Sequence, residues 1–151
     1  MTELEKLKIY IGGEFVNSQS EEYFESSNPF TGEPWCLVPR GNGEDINRAV
    51  EAAKVAFNSG EWPKFTATQR GHLLRRLGDL VSENADNLAQ IEVQDNGKLI
   101  AEMGMQLKYV PQWFYYFGGL ADKIEGSVLP IDKADHFTYT IHEPLGVIGM
   151  I

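Results

Sequence analysis

Side chains that could carry nucleophilic chemistry are scarce in this 151-residue sequence, which holds a single cysteine. Cys36 stands between Trp35 and Leu37 in a short apolar run. A reactive thiol needs an electropositive, partly exposed setting that lowers its pKa, and the neighbouring residues do not supply one. We therefore predict a small buried side chain at Cys36, without a catalytic role.

The histidines offer a weak metal-binding pattern. His136 and His142 lie six residues apart, so a strand would place both on one face. Two imidazoles on one face could bind a metal ion, but carboxylates or thiolates at ligand spacing are missing. A solvated or interfacial strand face is the favoured interpretation. His72, between Arg70 and Arg75, stands beside a leucine stripe that recurs at helical spacing, namely Leu73, Leu74, Leu77 and Leu80 with Val81.

A dinucleotide site cannot be predicted from glycine spacing alone. Gly146 and Gly149 lie in the apolar run 145–151, but the third glycine of a GxGxxG pattern and the helix after it are absent.

Charge and composition exclude other classes of partner. Lys and Arg number 13 and Asp and Glu 22, which gives a net charge of −9, so a polyanionic nucleic acid is excluded as a partner. No segment approaches the roughly 20 apolar residues that span a bilayer. One cysteine cannot form an internal disulfide, which fits a reducing compartment. We expect a soluble cytoplasmic protein.

The elements that must position these residues change in character along the chain. The first forty residues predict a small strand layer: a hairpin at 9–16 and apolar runs at 23–24 and 35–38, joined by a turn at 28–33. Acidic residues near the helix starts, such as Glu44 and Asp45, are interpreted as solvated. Helix signals then follow, namely a cap at Asn42 with a stop at Gly60, a capping box of Thr66 with Gln69, and a cap at Asn84 with a stop at Gly97.

The last fifty residues predict one more helix and then strands. A helix is expected over 102–123, where Pro111 implies a kink or a helix start. Residues 137–141 alternate as a half-buried or edge strand, with 127–129 as an antiparallel mate. The run 145–151 is typical of a strand buried on both faces. Because the sequence stops inside that run, we expect a missing continuation.

Several motifs in a fixed order resemble the aldehyde dehydrogenase superfamily, in particular its hydrolytic NAD(P)-dependent enzymes. The resemblance covers the chain from about residue 9 onward. Its motifs are IGGEFV at 11–16, NPFTGE at 28–33, AVEAA at 49–53 with Trp62, RGHLL at 70–74, DNGK at 95–98, YFGGLADK at 116–123 before Gly126, and YTIHEPLGVIG at 139–149.

The resemblance implies an α/β fold of which this chain is the amino-terminal part: a small strand layer, helices, an oligomerisation hairpin and the start of the Rossmann-like sheet. Residues 1–125 would belong to the dinucleotide-binding domain, 126–143 would form the hairpin through which subunits associate as a homo-oligomer, and 144–151 would begin the first strand of the nucleotide-binding sheet. An ordinary solvent-facing hairpin is the alternative for 126–143.

The resemblance also implies a reaction. A cysteine attacks an aldehyde to form a thiohemiacetal, hydride passes to NAD or NADP, and a glutamate activates water to release the carboxylic acid. An asparagine and a backbone N–H stabilise the oxyanion. None of these groups is expected within this sequence, and Cys36 does not match the nucleophile. The chain alone is therefore predicted to be inactive.

Three residues match family binding positions. Ile151 matches the end of the strand that borders the adenosine pocket of the cofactor, with a plain core strand as the alternative. Ser26 and Asp95 match positions that hold a monovalent or divalent cation by backbone or carboxylate in some members; a turn carboxylate at a helix end is the alternative for Asp95. The helix around Tyr109 and Trp113 matches a wall of the substrate entrance, with Pro111 as a departure from the pattern.

Two rival hypotheses are compatible with the sequence. The first is a non-catalytic association module that acts through the 126–143 strand pair, because exposed strand edges favour self-association. The second is a compact metal or ligand-binding domain that uses His136 and His142.

Overall fold

The computed structural model describes residues 3–151. It confirms a strand-rich first part, a helical middle and a hairpin near the end. The strands are β1 Glu5–Lys6, β2 Ile9–Ile11, β3 Glu14–Val16, β4 Tyr23–Ser27, β5 Pro34–Pro39, β6 Val128–Leu129 and β7 Thr138–Tyr139, and the helices are α1 Gly43–Ser59, α2 Ala67–Glu83, α3 Ala85–Asn96 and α4 Ile100–Leu120, with a 3-10 turn at Trp62–Lys64.

The strand layer consists of a hairpin and a three-stranded sheet. Strands β2 and β3 pair around Gly12 and Gly13, whose positive φ angles suit a tight turn. The second sheet has the order β1-β5-β4, with β1 parallel and β4 antiparallel to β5. Cys36 stands opposite Ser26 on one side and Glu5 on the other, so these three side chains share one face of the sheet.

Capping signals placed four helix ends correctly. The Asn42 side chain accepts from the N–H groups of Glu44 and Asp45, and α1 ends at Gly60. Thr66 and Gln69 form the predicted capping box at the start of α2. Helix α3 ends at Gly97, a left-handed residue with φ of 74°.

The expected cap at Asn84 is only half right. Asn84 does occupy the position before α3, but its side chain makes no capping bond there. Its amide instead donates to the carbonyl of Leu80, at the end of α2. Because α2 and α3 meet at this one residue, its side chain satisfies the helix that ends and not the helix that starts.

Helix α4 runs without a break through Pro111, so a helix start at that residue is wrong. Pro111 is almost completely buried. A proline inside a helix removes one backbone hydrogen bond, but tertiary packing can outweigh that loss. The packing of this buried ring therefore explains why the helix continues.

Helices α2 and α4 pack closely along a face of glycines. A Cβ atom at Gly71 would collide with the carbonyl oxygen of Gly118, and one at Gly78 would lie 2.7 Å from a ring carbon of Tyr115. The predicted leucine stripe of α2 is only partly covered, since Leu73 and Leu77 stay exposed. The small residues of α2 therefore face α4 together with Leu74, whose Cβ lies 3.4 Å from the position of a Cβ added at Gly118.

The hairpin is confirmed, but the strand after it is not formed. Val128 pairs with Tyr139 and Leu129 with Thr138 in an antiparallel register. Residues 145–151 form no helix or strand, and apolar side chains such as Leu145 and Met150 are exposed. A buried parallel strand needs neighbouring strands and covering helices, and residues 3–151 place none against this run.

Burial is sparse overall. The fully buried hydrophobic residues of the described part are Cys36, Ala85, Ala89 and Met103. None of the helices among residues 3–151 combines the length and apolar character needed to cross a membrane.

Candidate functional site

The structure brings Ser26 and Asp95 together, although 69 residues separate them in the sequence. Ser26 lies near the end of β4, and Asp95 lies in the last turn of α3. The Ser26 hydroxyl donates a hydrogen bond of 2.6 Å to Asp95 Oδ1. The resemblance therefore selected two residues that are neighbours in space at the junction of the strand layer and the helices.

The two side chains of this pair are hydrogen-bonded directly to each other, and a cation held here by backbone or carboxylate stays a prediction. An oxygen–oxygen distance of 2.6 Å is that of a hydroxyl donating directly to a carboxylate. Within residues 3–151, no group of three or more histidine, cysteine, aspartate or glutamate side chains is arranged to hold a metal ion. The pair supplies one carboxylate and one hydroxyl, and the two are already bonded to each other.

Cys36 lies on the same face and is fully buried, as predicted. Burial raises the pKa of its thiol, and the negative charges of Asp95 and Glu5 raise that pKa further. A thiol in this setting stays protonated at neutral pH, and a protonated thiol is a poor nucleophile. The expectation that Cys36 has no catalytic role therefore has a physical basis in its surroundings.

Ile151 is fully exposed and lies outside any strand of the structure. A pocket edge requires neighbours, and the described chain places none around this residue. Its role beside a cofactor stays a prediction about the sheet in which the resemblance places it.

The hairpin at 126–143 presents an apolar surface. Phe137 is 73% exposed, and Tyr139 and Ile141 are exposed beside it. The rings of Phe137 and Tyr139 lie 5.8 Å apart between centroids. Ser127 and Thr140 join the two strands beyond the β6–β7 pairs through two hydrogen bonds of 2.9 Å. An ordered hairpin with uncovered aromatic rings is suited to contact another surface.

The two histidines near the hairpin do not lie within one strand, because β7 contains only Thr138 and Tyr139. His136 and His142 both fall outside that strand, so the inference that strand geometry puts them on one face is wrong. The pairing of β6 with β7 covers only Thr138 and Tyr139 of the second strand, so it reaches neither histidine.

The aromatic part of α4 remains open to solvent. Tyr109 and Trp113 meet edge to face, with ring centroids 5.9 Å apart, and both are more than half exposed. The two rings form an exposed apolar patch on this helix.

The sequence interpretation missed one polar cluster. Asp45 was expected to be solvated, but its side chain is only 3% exposed. It accepts hydrogen bonds from the Ser18 hydroxyl at 2.6 Å and from the backbone N–H groups of Gln19 and Asn42. Arg48 lies 3.5 Å away. The Asn42–Asp45 spacing of a capping box was a signal for part of this cluster, whereas nothing local pointed to Ser18.

Comparison with known proteins gives a consistent result. The model of the family described as "Aldehyde dehydrogenase family" matches residues 15–151. The chain is 43% identical over 148 residues to (Z)-2-((N-methylformamido)methylene)-5-hydroxybutyrolactone dehydrogenase of Acinetobacter baylyi, covering 98% of this chain and 30% of that protein. It is 42% identical over 151 residues to human retinal dehydrogenase 2, covering 99% of this chain and 29% of that protein.

Solved structures agree. The NAD+ complex of an aldehyde dehydrogenase from Bacillus cereus superposes with a TM-score of 0.87 at 38% identity, over 93% of this chain and 29% of that one. A betaine aldehyde dehydrogenase from Staphylococcus aureus in complex with NAD+ superposes with a TM-score of 0.80 at 36% identity, over 85% and 26%. The chain thus spans about 30% of the length of the curated relatives that it matches.

Proposed function

The chain belongs to the aldehyde dehydrogenase family, and on that premise we propose that it is the amino-terminal part of an enzyme that oxidises an aldehyde to a carboxylic acid. The observation that carries the proposal is the family match over residues 15–151. The superposition on an NAD+ complex supports NAD as the cofactor, with NADP as the alternative.

The proposed reaction balances as aldehyde, NAD(P)+ and water giving carboxylic acid, NAD(P)H and a proton. A cysteine thiolate adds to the aldehyde carbon, the thiohemiacetal loses hydride to the cofactor, and water cleaves the thioester. Cys36 is unsuited to that first step, since it is buried and its pKa is raised. The groups that carry the reaction are proposed to lie in the parent enzyme outside these 151 residues.

We predict that the isolated 151-residue chain does not reduce NAD+ or NADP+ with any member of an aldehyde panel. The measurement is absorbance of the reduced cofactor at saturating cofactor, with the parent enzyme as a positive control. Turnover by the chain that disappears in Cys36→Ser would contradict both the inactivity and the assigned role of Cys36.

The proposed architecture keeps 1–125 in the dinucleotide-binding domain, 126–143 as an association hairpin and 144–151 as the beginning of the first nucleotide-sheet strand, with Ile151 at its cofactor-facing end. The match of an NAD+-bound relative over 93% of this chain supports this placement. The proposed compartment is the cytoplasm, in keeping with a chain that holds one cysteine.

The second candidate function is an association module, favoured by the exposed aromatic rings of the hairpin. Phe137→Ser is expected to reduce self-association of the chain, because it removes apolar area from the proposed contact. Asp135→Ser, in the same connection but without apolar area, is the matched control. Light scattering after size exclusion measures the mass, and a clean monomer for the unmodified chain would eliminate this candidate.

A further inference from the structure

The hydrogen bond between Ser26 and Asp95 connects the strand layer with the helices. Ser26 belongs to β4 of the strand layer, and Asp95 belongs to the last turn of α3. We infer that this bond is a direct tether between the layers and takes the place of a cation shared by the two side chains.

Distance is the first argument for the tether. Two neighbouring oxygen ligands at about 2.3–2.6 Å from one cation lie about 2.7–3.1 Å apart in a pentagonal bipyramid and about 3.3–3.7 Å apart at right angles. The observed separation between Ser26 Oγ and Asp95 Oδ1 is 2.6 Å. That value matches a hydroxyl that donates to a carboxylate, and it is too short for two neighbouring ligands of an ion.

The backbone of Ser26 is also engaged. The carbonyl of Glu22 accepts from the N–H of Arg40, and hydrogen-bonded pairs recur at every second residue of an antiparallel ladder. The register pairs Ser26 with Cys36, but it shifts between Ser26 and Ser27, so this pair is the last regular one of the ladder. The backbone of Ser26 lies within β4, and its side chain is the group that donates to Asp95.

A second contact fixes the spacing of the layers at the same junction. Gly97, two residues after Asp95, lies against Pro29 in the β4–β5 turn, where an added Cβ would be 3.0 Å from Pro29 Cβ. The left-handed φ of Gly97 turns the chain at this point. This apolar contact holds the two layers at the separation that a direct hydrogen bond spans.

The test compares the melting temperature of the full 151-residue chain and its variants in choline chloride, sodium chloride, potassium chloride and calcium chloride at equal ionic strength. Ser26→Ala and Asp95→Ala are each expected to lower the melting temperature by about 2–5 °C, and the double variant by no more than the larger single effect. Asp95→Asn, which keeps an acceptor for the hydroxyl, should lose less than Asp95→Ala. The choice of cation should change none of these differences.

Two outcomes would overturn the inference. One is a rise in melting temperature with sodium, potassium or calcium that is absent in Asp95→Asn, which is the signature of a cation site. The other is additive losses in the double variant. If Ser26→Ala fails to fold, Ser26→Thr retains the hydroxyl, and amide exchange of residues 26–28 and 95–97 in the unmodified chain decides the question. Protection from exchange is expected to be equal in choline chloride and in the metal salts. Greater protection in a metal salt would overturn the tether.

Discussion

At the residue scale, Asp45 shows how one carboxylate organises the start of the helical part. Among residues 3–151, Asp45 is the one charged side chain that is buried. Its hydrogen-bond partners come both from the strand layer and from the start of α1. Ser18 and Gln19 lie in the connection after β3, while Asn42 precedes α1. A buried carboxylate is tolerated only when hydrogen bonds replace its lost hydration, and with Arg48 as the fourth donor four groups do so here.

The surroundings of Asp45 make the stability of the chain depend on pH. The hydrogen bond from Ser18 lowers the pKa of Asp45 most, and the N–H groups of Asn42 and Gln19 and the charge of Arg48 lower it further against an opposing effect of burial. A carboxyl whose folded pKa lies below its unfolded value stabilises the fold above the unfolded pKa of about 3.9. That stabilisation is lost as pH falls through the folded pKa.

We therefore expect the melting temperature of the unmodified chain to fall between about pH 5 and pH 2, and we expect Asp45→Asn to flatten this dependence. Asp45→Asn should also melt lower at pH 7, because the hydroxyl of Ser18 loses its charged acceptor. Glu44→Gln, at the exposed neighbouring position, is the matched control and should keep the slope. Equal slopes for Asp45→Asn and the unmodified chain would contradict the assignment.

Residues such as Asp45 also mark the limit of sequence interpretation. Its place at a helix start was predictable from Asn42 three residues before it, because that interaction is local. Its burial depends on Ser18, 27 residues earlier, and Asp95 likewise meets Ser26 across 69 residues. No periodicity connects such pairs. Only the family resemblance linked Ser26 with Asp95. It predicted a cation at these two positions and did not predict the hydrogen bond between their side chains.

At the element scale, several helix ends were predictable from local signals, although the capping bond expected at Asn84 is absent, and the face of α2 that meets α4 was not predictable. Asn42, Thr66 and Gly97 satisfy unpaired backbone groups of their own helices, so their signals need no tertiary context. The leucines of α2 follow a helical period, but period alone does not say which face meets α4. The strand predicted at 145–151 is not formed for a similar reason, because a β-strand needs a neighbouring strand to pair with.

Because α2 and α4 meet through glycines, substitution on that face should be costly. Gly71→Ala is expected to destabilise the chain by about 1–3 kcal/mol, since the added methyl group meets the backbone carbonyl of Gly118, which cannot rotate away. Gly104→Ala, in α4, has open space around its Cβ and should stabilise the chain by about 0.5–1 kcal/mol through helix propensity. Urea unfolding measures both, and a stabilised Gly71→Ala would contradict the close approach.

At the scale of the whole molecule, the chain exposes far more surface than its mass requires. Its accessible surface is 11959 Å² for 17.0 kDa, whereas a folded monomer of that mass exposes about 7,700 Å². Much of the excess is apolar, from the leucines of α2, the aromatic rings of α4, the hairpin and the run 145–151. A surface of this kind is stable when it is covered, which agrees with a chain that spans about 30% of its relatives.

The exposed surface predicts how the isolated chain unfolds. A fully packed domain of 151 residues has a heat-capacity change of unfolding of about 2 kcal/mol/K, mostly from apolar area that becomes hydrated. This chain should give a clearly smaller value by calorimetry, because much of its apolar area is hydrated before unfolding. It should also bind the dye ANS in its folded state, as open apolar surface does. The parent enzyme under the same conditions is the control and should bind little dye per subunit. A heat-capacity change near that of a packed domain, without dye binding, would mean that the helices cover their own apolar faces and that the coverage proposed here is unnecessary.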